Sequence, residues 1–181
     1  MIKYATGNLL NCPVEAIVNT VNCVGVMGAG LAYQFKKKYP NNYAHYLNEC
    51  KKDNVIPGQV LVHTLEPYES DVTAHKFVLN FPTKLHWKQD SMLEYVISGL
   101  NDLVKVIKDN SIKSIAIPPL GCGLGGLNWY DVHSLIVEKL KDVDCEIYIF
   151  VPQNANGFPK ECSTTTPHQF IVSNKRAGTY S

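Results

Sequence analysis

Strand-like and helix-like stretches alternate along most of this 181-residue chain, and that alternation restricts its fold more than any bulk property. The opening IKYATGN (2–8) reads as a short strand ending at Gly7, and VEAIVNT (14–20) as a second, more apolar one. GQVLVHTL (58–65), HKFVLNF (75–81), SIAIPPL (114–120) and CEIYIFVP (145–152) read as further strands. Helical spacing marks the segments between them. In LAYQFKKKYP (31–40), Leu31, Phe35 and Tyr39 share a face and Pro40 is the stop. NNYAHYLNECKKDN (41–54) reads as a second helix capped by Asn41 or Asn42. The longest helical signal runs over 91–110, with Ser91 and Glu94 at capping-box spacing, and another helix covers 128–142. Such a pattern predicts an α/β layered domain with a mostly parallel or mixed sheet and helices on both faces. From about Asn154 the pattern dissolves into polar, turn-rich sequence, so 153–181 is expected to be a tail or linker, within which FIV (170–172) can add a short strand.

A formal net charge of +1 supplies no bulk attraction to nucleic acid or membrane, so any nucleic-acid contact must come from a local patch. Lys36, Lys37 and Lys38 form the densest basic run and read as a solvated helix end. None of the six cysteines forms C-x-x-C or pairs with a histidine at zinc-finger spacing, which argues against structural zinc. The N-terminus lacks the pattern of a secretory signal, and no apolar run approaches the ~20 residues that span a bilayer. A cytoplasmic protein with reduced thiols and no membrane partner is the expectation.

Two glycine loops follow predicted strands. GCGLGG (121–126) matches G-x-G-x-x-G, but it falls late in the chain, whereas a nicotinamide-binding turn opens its domain. VGVMGAG (24–30) offers the same chemistry elsewhere, again opening onto a helix. Glycines let backbone N–H groups approach an anion, and a helix N-terminus favours negative charge. Two such loops suit a diphosphate held from both sides; the alternative is that the glycines serve tight turns and close packing. A third strand end, LNFPTKLHWK (79–88), presents Lys84, His86, Trp87 and Lys88 within five residues. Ligands of α/β sheets bind beyond the carboxyl ends of strands, where all three segments can meet.

Together GNLL (7–10), EAIVNTVN (15–22), VMGAGLAYQFKKKYP (26–40) and IPPLGCGLGGLNW (117–129) resemble the macrodomain, a module that binds ADP-ribose, over residues 1–152. The resemblance implies a three-layer α/β/α fold with a mixed central sheet. It also implies adenine contacts at Asn8 and Leu9, a distal-ribose contact at Asn22 and a first phosphate loop at Gly28, Ala29 and Gly30. A second loop at Gly121, Cys122, Gly123, Leu124 and Gly125 and a ligand contact at Thr83 complete the carry-over, with Cys122 acting through its backbone. Many macrodomains have an acid where this chain has Asn8, and an amide carbonyl accepts the same bond.

Within that family, NFPTKLHW (80–87) looks like the DNA ADP-ribosyl glycohydrolase branch, the DarG-type antitoxins. This implies removal of ADP-ribose from a modified base in DNA, single-stranded where the base must be reached, in opposition to a toxin that attaches it. It makes Lys84 the catalytic residue and requires no cofactor or metal, ADP-ribose being ligand or product. Terminal ADP-ribose glycohydrolases carry Asp after the G-C-G-L run, where this chain has Gly125. The full-length antitoxins carry a further toxin-binding domain for which this chain is too short. A lysine, with an ordinary pKa near 10.4, is protonated at neutral pH. Desolvation favours the free amine, which can attack the anomeric carbon; the ammonium can instead stabilise charge on the leaving base. Trp87 is a candidate to stack on an extruded base and Lys88 to meet a phosphate, while His86 has mainly structural character. Two other functions remain open at this point: a non-catalytic ADP-ribose reader and an ADP-ribose 1″-phosphate phosphatase.

Overall fold

The computed structural model describes residues 1–71 and 73–158. Six strands form one sheet: β1 (Ile2–Ala5), β2 (Ala16–Val21), β3 (Leu61–Thr64), β4 (Phe77–Pro82), β5 (Ser114–Ile117) and β6 (Glu146–Phe150). Their spatial order is β1-β6-β5-β2-β4-β3, all neighbours parallel except the β3–β4 pair. Four helices cover the sheet: α1 (Gly30–Lys38), α2 (Pro40–Lys51), α3 (Leu93–Asp109) and α4 (Trp129–Leu140). The mixed sheet with a helical layer on each face is the architecture expected from the sequence.

The continuous apolar runs are explained by burial of both sheet faces. Along β2, Ala16 and Val18 join one cluster with Leu100 and Leu103 of α3 and Ile136 of α4, while Ile17 joins the opposite cluster with Phe35 and Tyr39. β5 repeats this, with Ile115 and Ile117 on the first face and Ala116 on the second. On α3 the buried Val96, Leu100, Leu103 and Ile107 recur at helical spacing and form its packing stripe.

Three local expectations are corrected. Pro40 ends α1 but also opens α2 at its first turn, where its missing N–H is no loss. Asn42 is therefore inside α2, not its cap: it is buried, and its amide exchanges hydrogen bonds with Asn80 of β4 at 2.8 and 3.2 Å. The capping box at Ser91 and Glu94 does not form either. Helix α3 starts with Met92 as N-cap and no side-chain cap, because Ser91 turns inward. Packing also continues past residue 152, since Ala155 and Phe158 are buried and Phe158 lies against Tyr4, Trp129 and His133. The FIV segment lies outside the described residues. No helix among the described residues is long and apolar enough to cross a membrane.

His75 is buried under this fold in one tautomer. Its Nε2 faces the Cys12 carbonyl at 2.7 Å, which can only accept, so Nε2 carries the proton and Nδ1 accepts from the Tyr39 hydroxyl at 2.6 Å. Burial, outweighing the carbonyl contact, lowers its pKa from 6.5 to about 4, and burial does the same to His133. The unfolded chain therefore binds more protons between pH 6.5 and 4, so stability present at neutral pH is lost as pH falls through that window. The expected loss is on the order of 3 kcal/mol per ring. Urea midpoints measured from pH 7 down to pH 4 check this; a flat profile would contradict the neutral assignment.

Candidate functional site

Register brings the three loops together. Val21 lies opposite Pro82, so Asn22 and Thr83 leave the sheet side by side. On the other flank Ile17 pairs with Ala116, which sets Ile117 opposite Val18; β5 stops there while β2 runs on through Asn19, Thr20 and Val21. The early stop leaves a notch floored by Pro118 and Pro119, and a cavity of about 630 Å³ opens over it. That volume is in the range of small-molecule sites.

The first glycine loop forms one wall through Gly28, Ala29 and Gly30. Asn22 shapes this loop: its Oδ1 accepts from the N–H groups of Val24 and Val26 and from the Tyr46 hydroxyl, and its Nδ2 donates to the Val26 carbonyl. Helix α1 begins at this wall with no side-chain cap, and Gly30, Leu31 and Ala32 line the cavity. Its first-turn N–H groups and positive dipole end therefore face any anion bound there.

The second wall is built from Gly121, Cys122, Gly123, Leu124 and Gly125. The expectation that this loop also presents a helix N-terminus does not hold, because the Asn128 side chain caps α4 by accepting from Tyr130 N and Asp131 N. Two of its glycines also meet a protein neighbour. A Cβ on Gly125 would lie 2.1 Å from Ser91 Oγ and 2.5 Å from the Gly121 carbonyl oxygen. A Cβ on Gly121 would lie 3.0 Å from Ser91 Cβ, and Gly121 holds a left-handed φ of +72°. Gly123 has open space around it, and Leu124 at the tip is 78% exposed. Burial pushes the Cys122 thiol up to about 12, which removes it as a nucleophile and agrees with a backbone role.

Lys84 and Trp87 line the third wall, and Thr83 joins them. Thr83 is held from three sides: its N–H donates to Val21 O at 3.0 Å, its carbonyl accepts Met92 N–H at 3.2 Å, and its hydroxyl accepts from Ser91 Oγ at 3.3 Å. The loop beyond is tied to the first wall by Cys23 N–H donating to Leu85 O at 3.1 Å. Trp87 is half exposed at 50%, stacks on His86 with ring centroids 5.4 Å apart, and has Lys88 Nζ 5.1 Å from its ring centre. His86 Nδ1 accepts the Lys88 N–H, so the histidine shapes the turn. Trp87 is therefore a surface residue at the cavity mouth and not part of the core.

Asn8 and Leu9 lie outside the cavity lining. Asn8 Oδ1 accepts from Leu10 N and caps the short 3-10 helix Leu9–Asn11, while Leu9 is buried in the cluster against which cavity-lining Leu31 packs. His86 and Lys88 contact Trp87 but are also outside the lining. Leu31, Ala32, Pro118, Pro119 and Ser91 are lining residues that the sequence reading missed. For the two prolines the signal was present, since they follow a strand directly; for Ser91 the capping-box spacing pointed elsewhere. Among the described residues no group of three or more His, Cys, Asp or Glu could hold a metal ion.

The chain matches the model of the Macro domain over residues 18–136. It is 47% identical over 151 residues to a DNA ADP-ribosyl glycohydrolase of Mycobacterium tuberculosis, covering 82% of this chain and 42% of that protein. The chain thus spans less than half the length of this curated relative. The solved macrodomain of M. tuberculosis DarG superposes with a TM-score of 0.79 at 44% identity, over 84% of this chain and 98% of that one. Thermosipho africanus DarTG in complex with ADP-ribose superposes with a TM-score of 0.79 at 31% identity, over 93% of this chain and 45% of that one. On its six-stranded mixed sheet, its paired glycine loops and these matches, the chain belongs to the Macro domain family.

Proposed function

We propose that this domain is a DNA ADP-ribosyl glycohydrolase, which binds the ADP-ribose of a modified nucleobase and hydrolyses the bond between base and ribose. The observation that carries the reading is the position of Lys84: it lines the same cavity as both glycine loops. The name of the 47%-identical M. tuberculosis relative supports the reaction, and the T. africanus complex supports the ligand.

The diphosphate lies between the uncapped start of α1 and the tip of the second loop, where backbone N–H groups and the helix dipole favour negative charge. Asn22 reaches the distal ribose, whose anomeric carbon then faces Lys84. Either of two routes completes the chemistry. In one, the free amine of Lys84 attacks that carbon, the base leaves and takes a proton, and water releases the sugar. In the other, the ammonium stabilises charge on the departing base while water attacks directly. Trp87 at the mouth gives the base an apolar face to stack on, which requires a base outside the duplex stack and favours single-stranded DNA. The partner activity is a transferase that places ADP-ribose on DNA, a toxin if the pair is an antitoxin system.

Mass analysis of single-stranded oligonucleotides ADP-ribosylated on thymidine or on guanosine tests the reading. Loss of the ADP-ribose mass with return of the unmodified oligonucleotide is expected for one of them. Binding of ADP-ribose without any release would make the domain a reader, and release of inorganic phosphate from ADP-ribose 1″-phosphate would make it a phosphatase. Trp87→Ala is expected to weaken binding of the modified oligonucleotide about tenfold, within the usual contribution of base stacking. Affinity for free ADP-ribose is expected to stay within about threefold, since stacking serves the base alone. Calorimetric titration with both ligands checks the difference.

A further inference from the structure

Ser91 lines the cavity and is only 5% exposed, with its N–H and its hydroxyl both engaged. Its N–H donates to the Gly125 carbonyl at 2.9 Å, and its hydroxyl donates to Thr83 Oγ1 at 3.3 Å. Its side chain also fills the space between Gly121 and Gly125, within 2.1 Å of where a Cβ on residue 125 would stand. One residue therefore clips the second glycine loop to the end of β4, next to Lys84.

We propose that Ser91 is a positioning residue for Lys84, keying the lysine to the second glycine loop and occupying the volume that any side chain at position 125 would need. The inference rests on the glycohydrolase reading above. The backbone of Thr83 is fixed at its N–H by Val21 and at its carbonyl by Met92. The Ser91 hydroxyl fixes its side chain, so the bond leading into Lys84 has one direction. With Ser91 as donor, the Thr83 proton is left to turn toward the ligand, which Thr83 also lines. Lys84 thereby works without a carboxylate from residue 125.

Ser91→Ala keeps the Cβ that packs in the loop and removes only the hydroxyl. Thr83→Val removes the same bond from its other end. In the full chain, assayed on whichever oligonucleotide wild type turns over, each variant is expected to lower the single-turnover rate about tenfold, a scale set by one lost hydrogen bond and a small misplacement. For Ser91→Ala, KM and the Kd for ADP-ribose are expected to stay within about twofold, and the double variant to be no slower than the slower single one. An unchanged rate in Ser91→Ala, a rise in KM at constant kcat, or losses that multiply in the double variant overturns the proposal. If Ser91→Ala does not fold, Ser91→Cys, which keeps a side chain of similar shape with a weak donor, decides: a slower rate at retained ADP-ribose affinity supports the clip, and an unchanged rate or a lost affinity overturns it. If wild type binds ADP-ribose but leaves both oligonucleotides intact, the glycohydrolase reading fails and this proposal with it. If wild type and both variants act equally fast, this proposal alone fails.

Discussion

Lys84→Ala is expected to slow release of ADP-ribose from a modified oligonucleotide by about a thousandfold, the scale lost with a charge-stabilising or nucleophilic group. Binding of free ADP-ribose should change by less than about threefold, because the proposed binding mode holds the diphosphate by backbone groups of the two loops and the start of α1. Lys84→Arg separates the two chemical roles. A guanidinium stays charged and is no nucleophile at neutral pH. Activity near that of wild type in the arginine variant would assign an electrostatic role, whereas loss as deep as in the alanine variant, together with a trapped adduct in wild type, would assign covalent attack. Full activity in Lys84→Ala would remove the lysine mechanism altogether. Single-turnover kinetics with parallel calorimetry provide both numbers.

The second large effect is expected at Gly125. In Gly125→Ala the new methyl meets Ser91 Oγ at 2.1 Å and the Gly121 carbonyl at 2.5 Å, distances that no side chain tolerates. Ser91 is buried and tied to Thr83, and the Gly121 carbonyl already accepts from Leu127 N–H, so neither yields cheaply. The loop must open. Overpacking of this kind costs about 1–3 kcal/mol of stability, read as a lower urea midpoint. ADP-ribose affinity should fall about thirtyfold or more with the loop displaced, since helix and loop contacts to the anion no longer converge. Gly123→Ala, where the Cβ meets open space, is the contrasting variant and should retain stability. Equal stability of wild type and Gly125→Ala would show that the loop is looser than its packing implies.

Much of this was legible in the sequence because covering both faces of a sheet leaves a local trace. Residues 16–18, 77–79 and 147–150 are uninterrupted apolar runs, and each lies within a strand. The meeting of three loops was legible too, since parallel strands release their loops on one side. What was not legible depends on partners distant in the chain. Ser91 and Glu94 have capping-box spacing, yet a backbone bond to Gly125 draws Ser91 into the second loop. Asn42 has the chemistry of a cap, yet its partner is Asn80 on the neighbouring strand. The glycine pattern at 121–126 suggests that side chains are excluded there, but not that Ser91 does the excluding at Gly125, nor that Leu127 is the nearest obstacle at Gly121.

The early end of β5 has a consequence for motion. Because the cavity is cut into the sheet, Thr20 and Val21 at the end of β2 line it, and strand amides of that kind exchange hydrogen only with opening of the core. The exposed rim is where a ligand passes: the turn carrying Leu85, Trp87 and Lys88 on one side and the Gly123–Leu124 tip on the other. If the domain turns over substrate as proposed, these two exposed rim segments are where the rates of arrival and departure would be set.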